Sequence, residues 1–286
     1  DRDMGITHVI RGDDHLTNAA RQQLLFEALG GPVPRWAHHS MVLGPDGGKL
    51  SKRHGATAVG EYRELGYLPE AIVNYLSLLG WSHGEDEVLD AERLVREFDL
   101  GRLSPSPAVF DLAKLDWLDH ERIMALAPEE HERRFAERLL ATTPPPAAAA
   151  LAAAFQPSLV RYGDAPALAA EVLAPPPAPD ELVAIARAAA PQLAHVRALR
   201  AEAPEWLTPA GARDLLAAYR AWGKEQGIGA RQLLMPLRVA LTHAEHGPEL
   251  PFVLAALSRD AALQRLDRIL AGNAAGESIP TPGDQP

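Results

Sequence analysis

Apolar residues follow two rhythms along the chain, one typical of strands and one typical of helices. Residues 6–10 form a short β-branched run bounded by polar residues, which predicts a buried strand. In residues 18–29 the apolar positions recur every three or four residues before a Gly-Gly-Pro stop, which predicts a helix. A second strand is expected at residues 40–43. This order of elements predicts one βαβ unit with a parallel sheet.

The pattern after residue 60 is helical. Pro69 stands where the first turn of a helix is expected. The apolar face of this helix is predicted to comprise Ile72, Tyr75, Leu76 and Leu79. Residues 91–98 and 110–123 predict two more helices, and the Ser-Pro-Ser-Pro sequence at residues 104–107 separates them.

Beyond residue 127 the sequence is dominated by alanine, leucine, arginine and glutamate, with few β-branched residues. This composition favours a helical bundle over a β-barrel. Two proline triplets, at residues 144–146 and 175–177, are predicted to be stiff connectors between helices. The small, polar and proline-containing residues 273–286 predict a disordered tail.

Composition bounds the function. The 286 residues, 47% of them hydrophobic and 23% charged, suffice for two or three compact domains. The absence of cysteine excludes disulfides, thiolate zinc sites and cysteine nucleophiles. No stretch approaches the ~20 apolar residues of a membrane helix, and no signal-peptide order is present, so we expect a cytoplasmic protein that does not enter a membrane. The net charge of -10 argues against nonspecific nucleic-acid coating but leaves a local basic face open.

The densest chemistry lies in residues 44–55, Gly-Pro-Asp-Gly-Gly-Lys-Leu-Ser-Lys-Arg-His-Gly. Glycines allow the backbone to approach a ligand, while Lys49 and Lys52 could converge on the oxygens of a polyphosphate. These are two of only four lysines in the chain; arginine supplies the other basic residues. Taken alone, two lysines three residues apart fit a solvated basic turn equally well.

Several ordered segments resemble the bacterial glutamyl-tRNA synthetases, a family of class I aminoacyl-tRNA synthetases. Residues 49–53, Lys-Leu-Ser-Lys-Arg, resemble the class signature Lys-Met-Ser-Lys-Ser in its glutamyl form. Residues 6–16 resemble the family's segment at the carboxyl end of the preceding strand. Further matches occur at residues 66–82, 110–115 and 234–242. The resemblance covers nearly the whole chain.

The resemblance implies a mostly α protein with a partial α/β unit. Residues 1–55 would form the C-terminal part of a class I Rossmann-like catalytic domain that carries the signature loop. Residues 56–126 would form a helical region that contacts the tRNA stem, and residues 127–272 a helical anticodon-binding domain.

The resemblance also implies roles for individual residues. Arg11 would form an ion pair with a carboxylate of the substrate glutamate, for which a planar guanidinium is suited. Lys52, assisted by Lys49, would stabilise the negative charge on ATP as pyrophosphate departs, and Lys52→Ala should cost ~10²–10³ in rate. The residues implied to bind ATP are Asp14, Val42, Lys49, Leu50, Ser51, Lys52 and Arg53. Two alternatives stay open: Asp14 could simply begin a helix, and His15 could contact the nucleotide or be a packed histidine.

The implied substrates are ATP, accompanied by Mg²⁺, together with L-glutamate and tRNA(Glu), and we expect a monomer. No zinc site is expected, and His38 and His39 are interpreted as packing residues. Candidates for contacts to the tRNA are Arg161, Arg187, Arg197, Arg200, Arg238, Trp206 and Trp222.

The expected activity is that of a glutamate–tRNA ligase, which forms glutamyl-adenylate and then esterifies the 3′ end of tRNA(Glu). Glutaminyl enzymes carry a β-barrel anticodon module, which the helical C-terminal region argues against. The alternative function is that of a non-catalytic tRNA-binding fragment or module. Class I enzymes also need a His-x-Gly-His motif, which is absent from the 286 residues. We therefore expect this polypeptide alone not to activate glutamate.

Overall fold

The structure is a computed structural model that describes residues 1–51, 53, 55, 58–81 and 84–271. It divides into two compact units. The N-terminal unit comprises Asp1–Ala125 and Val160–Gly163, and the helical unit comprises Leu126–Leu159 and the described residues from Asp164 onward. None of the helices in this part of the chain has the length and apolar character that a membrane crossing requires. The predicted tail at residues 273–286 lies outside the described residues.

The N-terminal unit begins with the predicted βαβ arrangement. Strand β1 (His8–Gly12) leads into a 3₁₀ turn and helix α1 (Leu16–Ala28), and strand β2 (Arg35–His39) then pairs with β1 in parallel. The parallel sheet is confirmed. The second strand of this unit was predicted at residues 40–43 but lies at Arg35–His39. Within the predicted residues only Val42 and Leu43 form a strand, and it does not pair with β1.

Ser40 marks the point where the chain leaves the first sheet. Its hydroxyl is buried and donates a hydrogen bond to the carbonyl oxygen of Ser106 at 2.8 Å. The following strand, β3 (Val42–Leu43), therefore pairs in parallel with a different strand, β4 (Ala108–Val109). The segment from Arg35 to Leu43 thus contributes strands to two separate two-stranded sheets.

Four helices complete this unit in chain order: α2 (Val59–Leu65), α3 (Pro69–Leu78), α4 (Ala91–Glu97) and α5 (Leu112–Met124). Pro69 occupies the first turn of α3, as predicted, where its missing N–H leaves no bond unmade. Helix α5 begins two residues later than predicted. Asp111 is its N-cap and accepts hydrogen bonds from the backbone N–H groups of Ala113 and Lys114, so Phe110 lies outside the helix.

The core of the unit lies between α2, α3 and α5. Its buried residues are Tyr62, Tyr67, Ile72, Tyr75, Leu115 and Leu118. Phe110 packs edge-on against Tyr75 with ring centroids 5.1 Å apart. Leu76 does not belong to this core, although the helical spacing predicted it, because 48% of its surface is exposed.

Strand β1 and helix α1 are less buried than the sequence predicted. Ile10 is 49% exposed, and no residue of α1 is buried. Leu24 and Leu25, which belong to the predicted apolar set of the helix, are both mostly exposed. The physical reason is that two strands and one helix provide no second layer against which all apolar positions could pack.

A polar network lies beneath α3. Asp119 of α5 is fully buried, and its Oδ1 accepts a hydrogen bond of 2.8 Å from the backbone N–H of Leu68. Within the described residues, its Oδ2 has no hydrogen-bond partner. Beside it, the Tyr67 hydroxyl donates to Asp116 and accepts from Arg161 at 3.2 Å. The unit therefore holds an incompletely paired carboxylate at the start of a helix.

Two glycines meet inside the N-terminal unit. Gly66 has a positive φ of 88° at the end of α2, and its carbonyl accepts a hydrogen bond of 3.1 Å from the N–H of Tyr162. A Cβ at Gly66 would overlap the backbone nitrogen of Gly163, and a Cβ at Gly163 would overlap the carbonyl oxygen of Leu65. The backbones can approach this closely only because neither residue has a side chain.

The helical unit is built of helices, as predicted from its alanine- and leucine-rich sequence. They are α6 (Pro128–Ala136), α7 (Pro145–Phe155), α8 (Ala165–Leu173), α9 (Asp180–Ala188), α10 (Ala190–Glu202), α11 (Pro209–Glu225), α12 (Ala230–Thr242), α13 (Leu250–Ala256) and α14 (Arg259–Leu270). Residues 175–177 connect α8 to α9, as expected. The prediction for residues 144–146 was only partly right, because Pro145 begins α7.

Two arginines donate hydrogen bonds to backbone carbonyls inside this unit. Arg265 of α14 donates to the carbonyl oxygens of Val172 and Leu173, both at 2.8 Å, and to that of Leu241. These carbonyls lie in the last turns of α8 and α12, where partial negative charge accumulates. Burial lowers the pKa of Arg265 to about 10, so it stays charged at neutral pH. Arg200, by contrast, is fully buried and donates to three carbonyl oxygens.

Candidate functional sites

The carboxyl end of β1 places Arg11 among three partners. Its Nε donates to His38 Nε2 at 3.3 Å, and its Nη2 donates to the carbonyl oxygen of His15 at 3.3 Å. Its guanidinium also lies over the Trp36 ring, 4.9 Å from the centroid. The Arg11 side chain is therefore fixed from one side and partly exposed on the other.

Asp14 and Lys49 meet next to this point, although 35 residues separate them. Lys49 Nζ donates to Asp14 Oδ2 at 3.2 Å. This hydrogen bond holds the pKa of the exposed Asp14 carboxyl below its usual value. His15 Nε2 lies 3.9 Å from the other Asp14 oxygen, and 51% of the His15 side chain is exposed. The alternative in which His15 is a packed histidine is therefore wrong.

The loop that carries Lys49 is a tight reversal after β3. The N–H of Gly44 bonds to the carbonyl of Gly48 at 2.7 Å, and the N–H of Leu50 bonds to the carbonyl of Val42 at 3.2 Å. Gly47 has a positive φ of 75°, which its lack of a side chain permits. The reversal brings Lys49 back alongside Leu43 of β3 and within reach of Asp14, which follows β1.

Asp46 ties the loop to itself and was missed in the sequence analysis. Its Oδ1 accepts from the N–H of Gly48 at 2.9 Å, and its Oδ2 pairs with Arg53 at 2.6 Å. The Pro-Asp-Gly sequence could have indicated this turn, since aspartate in turns often bonds to the backbone two residues on. Arg53, implied to bind ATP, thus lies on the same loop and is held by a carboxylate.

The remaining residues implied to bind ATP differ in what the structure shows. Val42 is half-buried and lines a cavity of about 370 Å³ together with Ile10 and Leu76. Leu50 and Ser51 follow Lys49 and are partly buried. Lys52, the residue expected to contribute most to catalysis, lies outside the described residues. The structure therefore brings Arg11, Asp14 and Lys49 into one neighbourhood.

No group of three or more histidine, cysteine, aspartate or glutamate side chains is placed to hold a metal ion in the described ranges. His38 and His39 are adjacent in sequence but have different partners. His38 accepts from Arg11, whereas His39 Nδ1 lies 2.9 Å from the carbonyl oxygen of Ser40. The interpretation of His38 as a packing residue is thus incomplete, since its ring contacts a residue of the candidate site.

In the helical unit, four arginines line a cavity of about 510 Å³. They are Arg213 and Arg220 of α11 together with Arg231 and Arg238 of α12. Leu234 and Met235 line the same cavity, as do the carboxylates Glu245 and Glu249. Within each helix the two arginines are seven residues apart, a spacing that places their side chains on one face of the helix. Three of these arginines were missed in the sequence analysis, although that spacing could have indicated them.

The arginines expected to contact tRNA have different surroundings in the structure. Arg238 lines the arginine cavity and also donates to the carbonyl of Pro248 at 2.7 Å. Arg200 was a wrong candidate, because it is fully buried by backbone carbonyls. Arg161 contacts Tyr67 in the N-terminal unit, and Arg197 forms an ion pair with Asp267.

The two tryptophans expected to stack bases are both partly buried. Trp222 stacks on the ring of His195, with centroids 4.1 Å apart. One face of the Trp222 indole is therefore already covered within the helical unit.

Two family models match the chain in succession. Residues 1–117 match the catalytic domain of class I tRNA synthetases for glutamate and glutamine, and residues 120–270 match an anticodon binding domain. A glutamate–tRNA ligase of Rubrobacter xylanophilus is 45% identical over 94% of this chain and 62% of its own length. A glutamate–tRNA ligase of Bordetella petrii is 42% identical over 93% of this chain and 57% of its own length. The chain thus spans about three fifths of the length of these relatives.

Solved structures share the fold. The glutamate-tRNA synthetase of Elizabethkingia anophelis aligns over 95% of this chain and 58% of its own, with a TM-score of 0.76 and 25% identity. A glutamate tRNA ligase from Elizabethkingia meningosepticum aligns over the same share, with a TM-score of 0.78 and 24% identity. The mostly helical fold, with a Rossmann-like class I catalytic part before a helical anticodon domain, is confirmed. The chain belongs to the glutamate–tRNA ligases, a family of class I aminoacyl-tRNA synthetases.

Proposed function

We propose that this chain takes part in the ATP-dependent activation of L-glutamate and its transfer to the 3′ end of tRNA(Glu) during protein synthesis. The observation that carries the proposal is the meeting of Arg11, Asp14 and Lys49 at the carboxyl end of β1. Ligands of open α/β sheets bind at this edge. A guanidinium suited to a carboxylate and an ammonium suited to phosphate lie together at this edge, which supports the proposal.

Arg11 is proposed to bind a carboxylate of glutamate. Its guanidinium is partly exposed, and its Nη1 makes no hydrogen bond within the described residues. A planar fork of N–H donors matches the two oxygens of a carboxylate.

Lys49 and Lys52 are proposed to stabilise the charge that develops on ATP as its α-phosphate is attacked and pyrophosphate leaves. Asp14, Val42, Leu50, Ser51 and Arg53 are proposed to contact the nucleotide. In the structure Lys49 is paired with Asp14, so binding of the triphosphate would exchange one anionic partner of this lysine for another. Mg²⁺ that accompanies ATP supplies further neutralisation of the phosphates.

The domains are proposed to divide this work. Residues 1–55 contribute to the catalytic domain, residues 56–126 contact the tRNA stem, and residues 127–272 bind the anticodon. The four arginines of the cavity in the helical unit suit phosphates, and the adjacent Leu234 and Met235 offer an apolar surface to a base. We further propose that the protein acts as a monomer in the cytoplasm.

The second candidate function is tRNA binding without catalysis. It is supported by the same arginine cavity, because all its lining residues belong to the helical unit and none to the signature loop. The two candidates make different predictions for the lysines, since only a ligase requires Lys49 and Lys52 for chemistry.

Catalysis is tested by glutamate-dependent exchange of pyrophosphate into ATP, measured with the full-length gene product that contains these residues. Lys52→Ala should lower the exchange rate by ~10²–10³, and Lys49→Ala should lower it by a smaller factor. Lys224→Ala, which alters an exposed lysine of α11, is the matched control and should not change the rate. A rate within tenfold of wild type for Lys52→Ala contradicts the assignment.

Binding of tRNA is tested with the 286-residue chain and fluorescent tRNA(Glu). Arg231→Ala should weaken binding and lower the salt dependence, with a slope about one unit smaller for each lost phosphate contact. Arg268→Ala is the control, since Arg268 is exposed on α14 and does not line the cavity. Equal losses for both variants would show that the arginine cavity has no special part in binding.

A further inference from the structure

The pairing of β1 with β2 places three side chains on one face of the sheet. Arg11 lies directly beside His38, and Val9 lies beside Trp36. Because side chains two residues apart on a strand point to the same face, Trp36 and His38 share the face on which Arg11 lies. Both aromatic side chains contact the guanidinium, one through its ring face and one through a ring nitrogen.

These contacts commit specific N–H groups of Arg11. An arginine has five N–H donors, one on Nε and two on each terminal nitrogen. His38 takes the donor on Nε, and the carbonyl oxygen of His15 takes one on Nη2. The edge formed by Nη1 and the second hydrogen of Nη2 is left for another acceptor.

The hydrogen bond also fixes the state of the histidine. Nε2 of His38 accepts from a cation, so in the neutral ring the proton must be on Nδ1. A ring protonated on Nε2 would instead present an N–H to the N–H of Arg11. Of the two neutral tautomers of His38, only the one protonated on Nδ1 can therefore accept the hydrogen bond from Arg11.

We infer that His38 is a positioning residue for substrate recognition. It holds the Nε side of Arg11, so that the Nη1–Nη2 edge presents two parallel N–H donors to a carboxylate of the amino acid. The Trp36 ring packs against the guanidinium group. This inference rests on the proposed function, in which Arg11 binds L-glutamate.

The test uses the 286-residue chain labelled with ¹⁵N in arginine and histidine. The Nε–H resonance of Arg11 and the two ring nitrogens of His38 report the hydrogen bond directly by NMR. The variants are His38→Gln, which keeps an acceptor near the position of Nε2, and His38→Phe, which keeps a ring but no acceptor. His39→Gln is the matched control, because the next residue of the strand points to the opposite face.

The expected result is a His38 ring protonated on Nδ1, and an Arg11 Nε–H that exchanges slowly in wild type, His38→Gln and His39→Gln. In His38→Phe this N–H should exchange rapidly. Titration with L-glutamate should give a dissociation constant about tenfold higher for His38→Phe and within twofold of wild type for the other variants.

Two outcomes overturn the inference. One is a proton on His38 Nε2 in wild type. Because this result is obtained without any variant, it tests the inference even if His38→Phe fails to fold. The other is equal Arg11 exchange and equal glutamate affinity in wild type and His38→Phe. A different outcome removes the proposed substrate alone: if glutamate leaves the Arg11 resonance of wild type unchanged while the Nε–H still depends on His38, the positioning of Arg11 stands and the proposed binding of glutamate by Arg11 fails.

Discussion

Replacing Asp119 with asparagine should make the N-terminal unit more stable at neutral and alkaline pH. The carboxyl group is fully buried, one of its oxygens accepts from the N–H of Leu68, and the other has no partner in the described structure. Burial raises the pKa of Asp119 to about 7, with smaller contributions from the charges of Asp116 and Glu70. The hydrogen bond from Leu68 opposes this increase.

The magnitude follows from the two pKa values of this carboxyl group. In the unfolded chain the ordinary value is 3.8, and in the folded unit it is about 7. The folded state therefore binds the proton more tightly, and its stability is fully present below pH 4. As the pH rises from about 4 to 7, the free energy of unfolding should fall by ~4 kcal/mol, because each pKa unit corresponds to about 1.4 kcal/mol. Above pH 7 it should change little further.

Asparagine does not ionise, yet its amide oxygen can still accept from Leu68. The Asp119→Asn unit should therefore show no decrease through this pH range and should be more stable than wild type by ~2–4 kcal/mol at pH 8. Asp119→Leu separates charge from hydrogen bonding. It leaves the N–H of Leu68 without an acceptor and should lose about 1–3 kcal/mol at every pH relative to Asp119→Asn.

The assay is urea unfolding between pH 4 and 9, followed by hydrogen exchange of peptides from α3 and α5. Exchange of these peptides reports the N-terminal unit alone, which matters because a chain of two units need not unfold in one step. If wild type and Asp119→Asn have parallel stability curves from pH 4 to 8, Asp119 does not titrate in this range and the reasoning is refuted.

Three further substitutions, two of them with a matched control variant, probe the packing. Arg265→Met should lower the stability of the helical unit by about 3 kcal/mol in urea denaturation, since it leaves carbonyls of two helix ends unpaired, whereas Arg268→Met on the exposed side of the same helix should stay within about 0.5 kcal/mol. Arg200→Met should cost a similar amount, and an unchanged midpoint would show that water replaces the guanidinium. Gly163→Ala should cost about 3 kcal/mol by overlap with backbone, while Gly60→Ala, whose Cβ would enter open space in α2, should gain up to about 1 kcal/mol; equal melting temperatures for the two would contradict this.

The sequence was informative where one residue type determines a local structure. Pro69 marked the first turn of α3, and the alanine-rich region beyond residue 127 formed helices, because proline geometry and helix propensity act locally. The signature loop could likewise be located from its letters alone. Its partner Asp14 was implied by resemblance, but the ion pair with Lys49 joins residues 35 positions apart and depends on how the strands are arranged.

The sequence was less informative where the structure depends on which strands pair with each other. The run at residues 40–43 has strand character, yet the hydrogen bond of Ser40 to Ser106 directs it to β4 and not to β1. For the same reason His38 could not be connected with Arg11, since their contact follows from a cross-strand register that no periodicity reveals. The burial of Arg200 also depends in part on the carbonyl of Leu257, which lies 57 residues away in the sequence.

Because of the segment Val160–Gly163, the N-terminal unit is not fully synthesised before synthesis of the helical unit begins. This segment belongs to the N-terminal unit, but α6 and α7 of the helical unit are translated before it. A nascent chain halted at residue 125 would hold all the strands and helices of the first unit, while the Gly66 carbonyl would still lack the N–H of Tyr162. Domains usually fold as they leave the ribosome. Here the hydrogen bond between Tyr162 and Gly66 can form only after part of the second unit has already emerged.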